Sequence, residues 1–143
     1  MKLGVLTALF GDQPLEKVLE YVKNAGLDAV ELGAGNYPGT AHCDPDVLLN
    51  DDEELDKLKK LIEDHGLIIS ALSCHGNPLH PNEEFARQNR EAQHKAILLA
   101  EKLGVDVVNT FSGCLGGSDS DRYPNWVTCP WRPDFLGMLE WQW

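Results

Sequence analysis

The chain has 143 residues, 43% of them hydrophobic and 24% charged, a composition that excludes a disordered polymer and suffices for one hydrophobic core. Its 23 acidic and 12 basic residues give a net charge of −11, which argues against nucleic-acid binding because like charges repel a phosphate backbone. No stretch approaches the roughly 18 uninterrupted apolar residues of a membrane-spanning helix, and the apolar amino-terminal stretch, interrupted by Asp12 and Pro14, lacks a secretory cleavage site. We therefore expect a cytoplasmic protein that binds neither nucleic acid nor membranes.

A unit of helix, glycine and strand recurs along the chain. Gly26, Gly66 and Gly104 lie 40 and 38 residues apart, and each is placed where a helix ends in a left-handed cap. In chain order, the pattern predicts strands at residues 2–9, 28–33, 67–73 and 105–111, which alternate with a helix at 14–25, a helix capped by Asp51 or Asp52, a long helix opened by Asn82, and a fourth helix from near Asp134 to Trp143.

Apolar residues at helical spacing define the faces that we expect to be buried. They are Leu15, Val18, Leu19 and Val22 in the first helix, Leu55, Leu58, Leu61 and Ile62 in the second, and Phe85, Ala92, Ala96, Leu99 and Leu103 in the third. The strands are nearly continuous apolar runs, which is typical of strands covered on both faces. Strands that alternate with helices predict parallel βαβ units in an α/β protein.

Two architectures use such units, the open doubly wound sheet and the closed eight-stranded barrel. The first predicted strand is not followed by a nucleotide-binding glycine motif, and the long polar connections at residues 33–50, 74–82 and 112–134 all follow strands. This placement favours a barrel, whose functional loops follow its strands. Because a complete barrel needs roughly 250 residues, we expect residues 1–143 to form a single parallel (β/α)4 half of a TIM barrel that ends within its fourth helix.

The strongest candidates for chemistry are one carboxylate and two imidazoles. Glu31 lies in an apolar strand, where an unpaired carboxylate is costly, and His75 and His80 flank a proline-rich turn directly after the third predicted strand. The two histidines and Glu31 have the residue types of a metal site. The simpler alternative is that both histidines form hydrogen bonds within their loop or to a substrate hydroxyl. The glycine-rich loops at residues 33–39 and 112–117 fit anion binding or tight turning equally well.

Four segments together resemble one family. They are VELGAGNYPG at residues 30–39, CHGNPLHP at 74–81, NTFSGC at 109–114 and YPNW at 123–126. They look like the amino-terminal half of the sugar phosphate isomerase/epimerase family, whose members are xylose isomerase-like TIM barrels. The resemblance covers the whole chain.

This resemblance implies an isomerase or epimerase that acts on a sugar or sugar phosphate with a divalent metal, Mn, Zn or Mg. In the family, acidic residues and a histidine on the later strands hold the metal, so the resemblance assigns no metal ligand and no catalytic residue to this chain. What it carries over is limited to Glu31, His75 and His80 as substrate-binding residues.

Two hypotheses for function follow. The first is the amino-terminal half of such an enzyme, inactive alone because the metal-binding half is missing. The alternative is a non-catalytic module that binds a polyol or anion, or a half-barrel that assembles with itself. A half-barrel exposes its first and last strands as open sheet edges, which predicts a homo-oligomer. DNA repair, an activity found in the same superfamily, conflicts with the charge of −11.

Overall fold

The structure, a computed structural model, describes residues 1–118, 120–125 and 140. Four strands lie in the order β1-β2-β3-β4, and all neighbouring pairs are parallel. The elements are β1 (Gly4–Leu6), α1 (Leu15–Asn24), β2 (Ala29–Gly33), α2 (Pro45–Leu48), α3 (Asp52–Asp64), β3 (Ile68–Ser73), α4 (Glu83–Leu103) and β4 (Val108–Asn109). This order confirms the predicted alternation of parallel strands and helices. Apart from residue 140, the predicted fourth helix near residues 134–143 and the preceding residues 126–133 lie outside the described residues.

The predicted glycine caps and helical stripes are confirmed, except that Phe85 of the third helix, which was predicted to be buried, is exposed because it lies in the first turn of α4, outside the core. Gly26, Gly66 and Gly104 have φ angles of +75°, +68° and +70°, the left-handed conformation that a residue without Cβ adopts at least cost. The core contains α1 residues Val18, Leu19 and Val22, α3 residues Leu55, Leu58 and Ile62, and α4 residues Ala96, Leu99 and Ala100, all packed against Val30, Leu32 and Leu72 of the sheet.

Three elements differ from the prediction. The first strand ends at Leu6 and continues as a 3₁₀ helix (Thr7–Phe10), because the pairing of β1 with β2 stops where Leu6 meets Glu31. The last strand is shortened to Val108–Asn109. The short helix α2 was not predicted, although Asp44 caps it through a 2.9 Å hydrogen bond from the backbone N–H of Asp46.

The chain divides into two compact units, Met1–His75 with Ala92–Thr110, and Gly76–Glu91 with Phe111–Trp143. The first unit contains the whole sheet, helices α1 to α3 and the second part of α4. The second unit contains the loop after β3, the first part of α4 and the segment after β4. Because the second unit extends beyond the described residues, a single half-barrel unit over residues 1–143 stays a prediction.

No helix in the described part of the chain is long and apolar enough to cross a membrane. Cys43, Cys74 and Cys114 are buried and unbridged, whereas the fourth cysteine, Cys129, lies outside the described residues.

Candidate functional site

Glu31 is held between the ends of three strands. Its neighbours Val30 and Leu32 are fully buried against the helices, and since side chains alternate along a strand, Glu31 points to the opposite face of the sheet. One carboxylate oxygen, Oε1, accepts hydrogen bonds from the hydroxyl of Ser73 and from the side-chain amide of Asn109, at 2.9 Å. These two donors fix the carboxylate, which is half-buried at the carboxyl end of the sheet.

The second carboxylate oxygen of Glu31, Oε2, differs from Oε1 in its hydrogen bonding. No described residue donates a hydrogen bond to Oε2, which leaves it able to accept one from a ligand. Ser73 is the last residue of β3 and Asn109 the last residue of β4. We name Glu31, Ser73 and Asn109 the strand-end triad.

A β-bulge sets the register of the triad. Val30 pairs with Ile69, but Glu31 pairs with Ala71, so Ser70 is the extra residue, and its hydroxyl donates a 3.1 Å hydrogen bond to the carbonyl of Val30. Beyond the bulge, Ser73 pairs with both Gly33 and Asn109. The bulge therefore brings the last residues of β2, β3 and β4 into line beside Glu31.

The loop after β2 folds back onto the strand that it follows. A Cβ atom at Gly33 would lie 2.9 Å from the carbonyl oxygen of Pro38, so only glycine fits there without a shift. The backbone N–H of Tyr37 donates a 2.9 Å hydrogen bond to the carbonyl of His75, and the side-chain amide of Asn36 donates one to Cys74 Sγ, at 3.3 Å. These contacts join the loop to the segment directly after β3.

Neither buried thiol of the first unit is an activated nucleophile. Burial raises the pKa of Cys74 to about 11, and burial together with the charge of Asp44 raises the pKa of Cys43 to about 12. Both groups are neutral thiols at physiological pH, because desolvation disfavours the thiolate.

The two predicted histidines belong to different units. His75 ends the first unit, is half-buried, and has its carbonyl bonded to Tyr37. His80 belongs to the second unit, where its ring Nδ1 accepts a 2.9 Å hydrogen bond from the backbone N–H of Asn82 and its ring centroid lies 4.7 Å from that of Phe85. In the neutral ring the proton therefore sits on Nε2, so His80 presents a donor to a ligand.

Asn77 joins the two loops of the second unit. Its side chain, 1% exposed, donates to the carbonyl of Cys114 at 2.9 Å and accepts from the backbone N–H groups of Cys114 and Leu79, at 2.8 and 3.2 Å. Its own backbone N–H donates to Asn89 Oδ1 at 2.9 Å. The loop after β3, the loop after β4 and the first part of α4 are thereby held together.

Sequence reasoning identified Glu31 but missed the two residues that hold it, Ser73 and Asn109. Each is a polar residue at the end of an apolar strand, which is a usable signal, yet nothing in the sequence indicates that both contact Glu31. Within the residues that the structure describes, no group of three or more histidine, cysteine or acidic side chains is arranged to hold a metal. The roles of Glu31, His75 and His80 in substrate binding stay predictions.

Comparison with known proteins identifies the fold. The family described as xylose isomerase-like TIM barrel matches residues 19–129. The chain is 33% identical over 145 residues to the uncharacterized protein YfiH of Bacillus subtilis (strain 168), a match that includes 100% of this chain and 46% of YfiH. The chain thus spans about half the length of that relative.

Two solved structures are similar to this one. The probable 3-DHS dehydratase AsbF, involved in petrobactin synthesis in Bacillus anthracis, matches with a TM-score of 0.57 at 18% identity, over 85% of this chain and 42% of AsbF. A putative uncharacterized protein from Parabacteroides distasonis matches with a TM-score of 0.44 at 17% identity, over 77% of this chain and 53% of its own. With the family match, the likeness to AsbF confirms the predicted class, a parallel α/β half of a TIM barrel.

Proposed function

Because the chain belongs to the family of xylose isomerase-like TIM barrels, we propose that it forms the amino-terminal half of a divalent-metal-dependent isomerase or epimerase acting on a sugar or sugar phosphate. The strand-end triad carries this proposal, since it places a fixed carboxylate at the carboxyl end of the sheet, where barrels of this kind bind their substrates. The proposal includes a cytoplasmic location.

Glu31 binds a substrate hydroxyl in this proposal. Ser73 and Asn109 occupy Oε1, so the carboxylate has little freedom to rotate and its Oε2 is preorganised to accept a hydrogen bond. His75 and His80 are further substrate-binding residues of the proposal, and His80 contributes a donor, since its Nδ1 is already occupied by Asn82.

The described residues do not fit a metal site of their own, because they contain no group of three metal-ligating side chains. We therefore place the metal ligands in a second half of the barrel. When bound, a divalent ion polarises the carbonyl of the substrate. In this proposal, the chain contributes to the reaction by binding and orienting the sugar.

The alternative is a module that binds a polyol or anion without transforming it. The same observation favours it, since a carboxylate held by two donors binds a hydroxyl whether or not a reaction follows. Turnover and metal affinity distinguish the two functions.

A complementation assay tests the proposal. The chain is mixed with the part of YfiH that it does not match and with Mn²⁺, and interconversion of a panel of ketoses and ketose phosphates is followed by chromatography. We expect turnover by the mixture alone, lost with Glu31→Gln but kept with Glu16→Gln, an exposed control on α1. Sugar binding without turnover in any mixture would support the non-catalytic module.

A metal titration tests where the metal site lies. By calorimetry, we expect the chain alone to show no tight, stoichiometric binding of Mn²⁺ or Zn²⁺. Tight binding that disappears with His75→Ala and His80→Ala would contradict the proposal, because the chain would then hold a metal site of its own.

We also propose that the isolated chain forms a homo-oligomer through its open sheet edges. Among the described residues, no strand pairs with the outer edge of β1 or β4, and Leu3 and Val107, next to these edges, are 54% and 46% exposed. Unpaired parallel edges associate readily. Sedimentation at micromolar concentration checks this, and a clean monomer would contradict it.

A further inference from the structure

We infer that Asn109 is a specificity-determining residue, which accepts a hydrogen bond from one hydroxyl of the ligand while Glu31 accepts one from a second hydroxyl. The inference rests on the proposed function and specifies the part of the sugar that binds here, namely an end that carries at least two hydroxyls and no phosphate. Both residues belong to the strand-end triad, which lies wholly within the first compact unit.

Asn109 and Glu31 lie side by side on the same face of the sheet. Val108 packs against the helix-covered core, so Asn109, the next residue of β4, points to the opposite face, which is also the face of Glu31. The side-chain amide nitrogen of Asn109 lies 2.9 Å from Glu31 Oε1. Both residues are half-buried, so each keeps some surface that a ligand can contact.

The partner of the Asn109 amide fixes which way the amide is turned. An ionised carboxylate only accepts hydrogen bonds, so the amide nitrogen of Asn109 faces Glu31 and the amide oxygen, Oδ1, is turned away from it. Within the described ranges, no group donates to Oδ1 of Asn109 or to Oε2 of Glu31. The two residues therefore present one acceptor each, a pair that is complementary to two hydroxyl donors.

Asn109 is also held in position through the backbone. Its carbonyl accepts a 2.9 Å hydrogen bond from the backbone N–H of Cys74, and the hydroxyl of the following residue, Thr110, donates to the carbonyl of Cys74 at 3.0 Å. The side chain of Asn109 is fixed at the same time by Glu31. Because an acceptor held in this way loses little freedom when a ligand binds, it is preorganised for a hydroxyl.

The charge of Glu31 decides which end of a sugar phosphate binds at the triad. None of the ion pairs among the described residues includes Glu31, so no cation in contact with the carboxylate offsets its charge. A carboxylate repels a phosphate, whereas a hydroxyl donates a hydrogen bond to it without bringing a second negative charge. The uncharged end of the ligand therefore binds at the triad, and a phosphate group is held elsewhere.

Ser73 provides a matched contrast to Asn109. Both residues donate to the same oxygen of Glu31, but Ser73 is 0% exposed and so does not reach a ligand. Ser73→Ala therefore loosens the carboxylate without removing a contact to the sugar. Asn109→Ala loosens the carboxylate and also removes an acceptor, so the difference between the two variants reports the direct contact.

Ligand-observed NMR titration of the chain with D-fructose and its monodeoxy analogues tests the inference. We expect two analogues, each lacking one hydroxyl, to bind the unaltered chain at least about twofold more weakly than D-fructose. In Asn109→Ala one of these two losses should disappear, and the Kd for D-fructose should rise about two- to tenfold. Ser73→Ala should keep both losses, and Asn24→Ala, an exposed control on α1, should change no Kd.

A second variant and a second probe keep the test decisive. Asn109→Ser replaces Asn109→Ala if circular dichroism shows that the alanine variant is not folded, and it should remove the same single loss. D-fructose 6-phosphate should bind the unaltered chain no more tightly than D-fructose. Binding of the phosphate that is more than about twofold tighter would overturn the inference, because the triad would then not select the uncharged end.

Glu31→Gln separates the inference from the proposed function. Binding that is weakened by Glu31→Gln, with both deoxy losses kept at full size in the Asn109 variants, would overturn the inference and leave the function. Binding that is unchanged in Glu31→Gln would contradict the proposed role of Glu31 in the function itself. The absence of any sugar binding by the unaltered chain would overturn both.

Discussion

Asn77 illustrates how one buried amide organises a loop-rich part of the molecule. A side-chain amide has two donors and one acceptor oxygen with two lone pairs, and Asn77 uses this capacity on Cys114 and Leu79. Gly113 belongs to the same arrangement, because a Cβ atom there would lie 2.5 Å from Asn77 Oδ1. This close packing explains why an asparagine occupies position 77 and a glycine occupies position 113.

Replacement of Asn77 should be costly. We expect Asn77→Ala to lower the free energy of unfolding by about 2–4 kcal/mol, since the buried backbone groups of Cys114 lose their partner at a cost of about 1–3 kcal/mol each. Urea denaturation followed by circular dichroism measures this. Asn24→Ala, at an exposed position that ends α1, is the control and should change stability by less than about 0.5 kcal/mol. An equal effect of both variants would contradict the role of Asn77.

At the scale of elements, the side-chain carboxylate of Asp51 caps the amino terminus of α3. Asp51 Oδ1 accepts hydrogen bonds from the backbone N–H groups of Glu53 and Glu54, at 3.0 and 3.1 Å, and so satisfies two donors that have no partner within the helix. We expect Asp51→Ala to destabilise the protein by about 1 kcal/mol, measured by thermal denaturation. Asp56→Ala, exposed in the middle of α3, removes the same charge without a cap and should have a smaller effect. If both variants shift Tm equally, net charge and not capping explains the loss.

The first turns of α4 contain an ion pair, between Glu84 and Arg87, whose contribution to stability depends on pH. Hydrogen bonds from Arg87 and Gln88 hold the pKa of Glu84 at about 2, below its ordinary value of 4.5. Since the folded pKa is lowered, the stabilisation is present above about pH 4.5 and is lost as the pH falls toward 2. Solvent screens this exposed pair, so the effect is local.

Carbon-13 NMR titration of the Glu84 carboxyl checks this pair. Its titration midpoint should rise toward the ordinary value in Arg87→Gln and stay unchanged in the control Arg122→Gln, since Arg122 is not among the groups that lower the pKa of Glu84. A midpoint that is the same with and without Arg87 would contradict the assignment.

At the scale of the whole molecule, the net charge of −11 opposes the association that the open sheet edges favour. Because salt screens repulsion beyond a Debye length of about 10 Å at 0.1 M, we expect the homo-oligomer to be promoted by salt. Sedimentation at about 0.02 M and about 0.5 M NaCl should show a Kd that is at least about threefold lower at the higher salt. Val107→Lys, which places a charge next to the β4 edge, should weaken association at both. Association that does not depend on salt or on residue 107 would place the interface elsewhere.

The chain corresponds to only part of each longer protein that it resembles. The chain matches 46% of YfiH and 42% of AsbF, and the four parallel strands in its described residues are half of the eight that close a barrel. The proposed activity therefore depends on groups supplied by a second half.

The sequence by itself determined what depends on neighbouring residues. The left-handed caps at Gly26, Gly66 and Gly104, the buried stripes of α1 and α3, and the order of parallel strands and helices all arise from local conformational preference and from the period of apolar residues. Such signals extend over one or two turns of helix or a single strand, so they can be detected without a structure.

Only the tertiary structure decided which distant residues meet. Asn109 contacts Glu31 across 78 positions of sequence, and the bulge at Ser70 sets which residue of β3 stands beside the carboxylate. The end of β1 at Leu6 likewise follows from its pairing with β2, since the sequence of residues 7–10 is equally compatible with a strand. Strand register is a property of the assembled sheet, and for this reason Glu31 was predictable as a candidate whereas the partners that hold it were not.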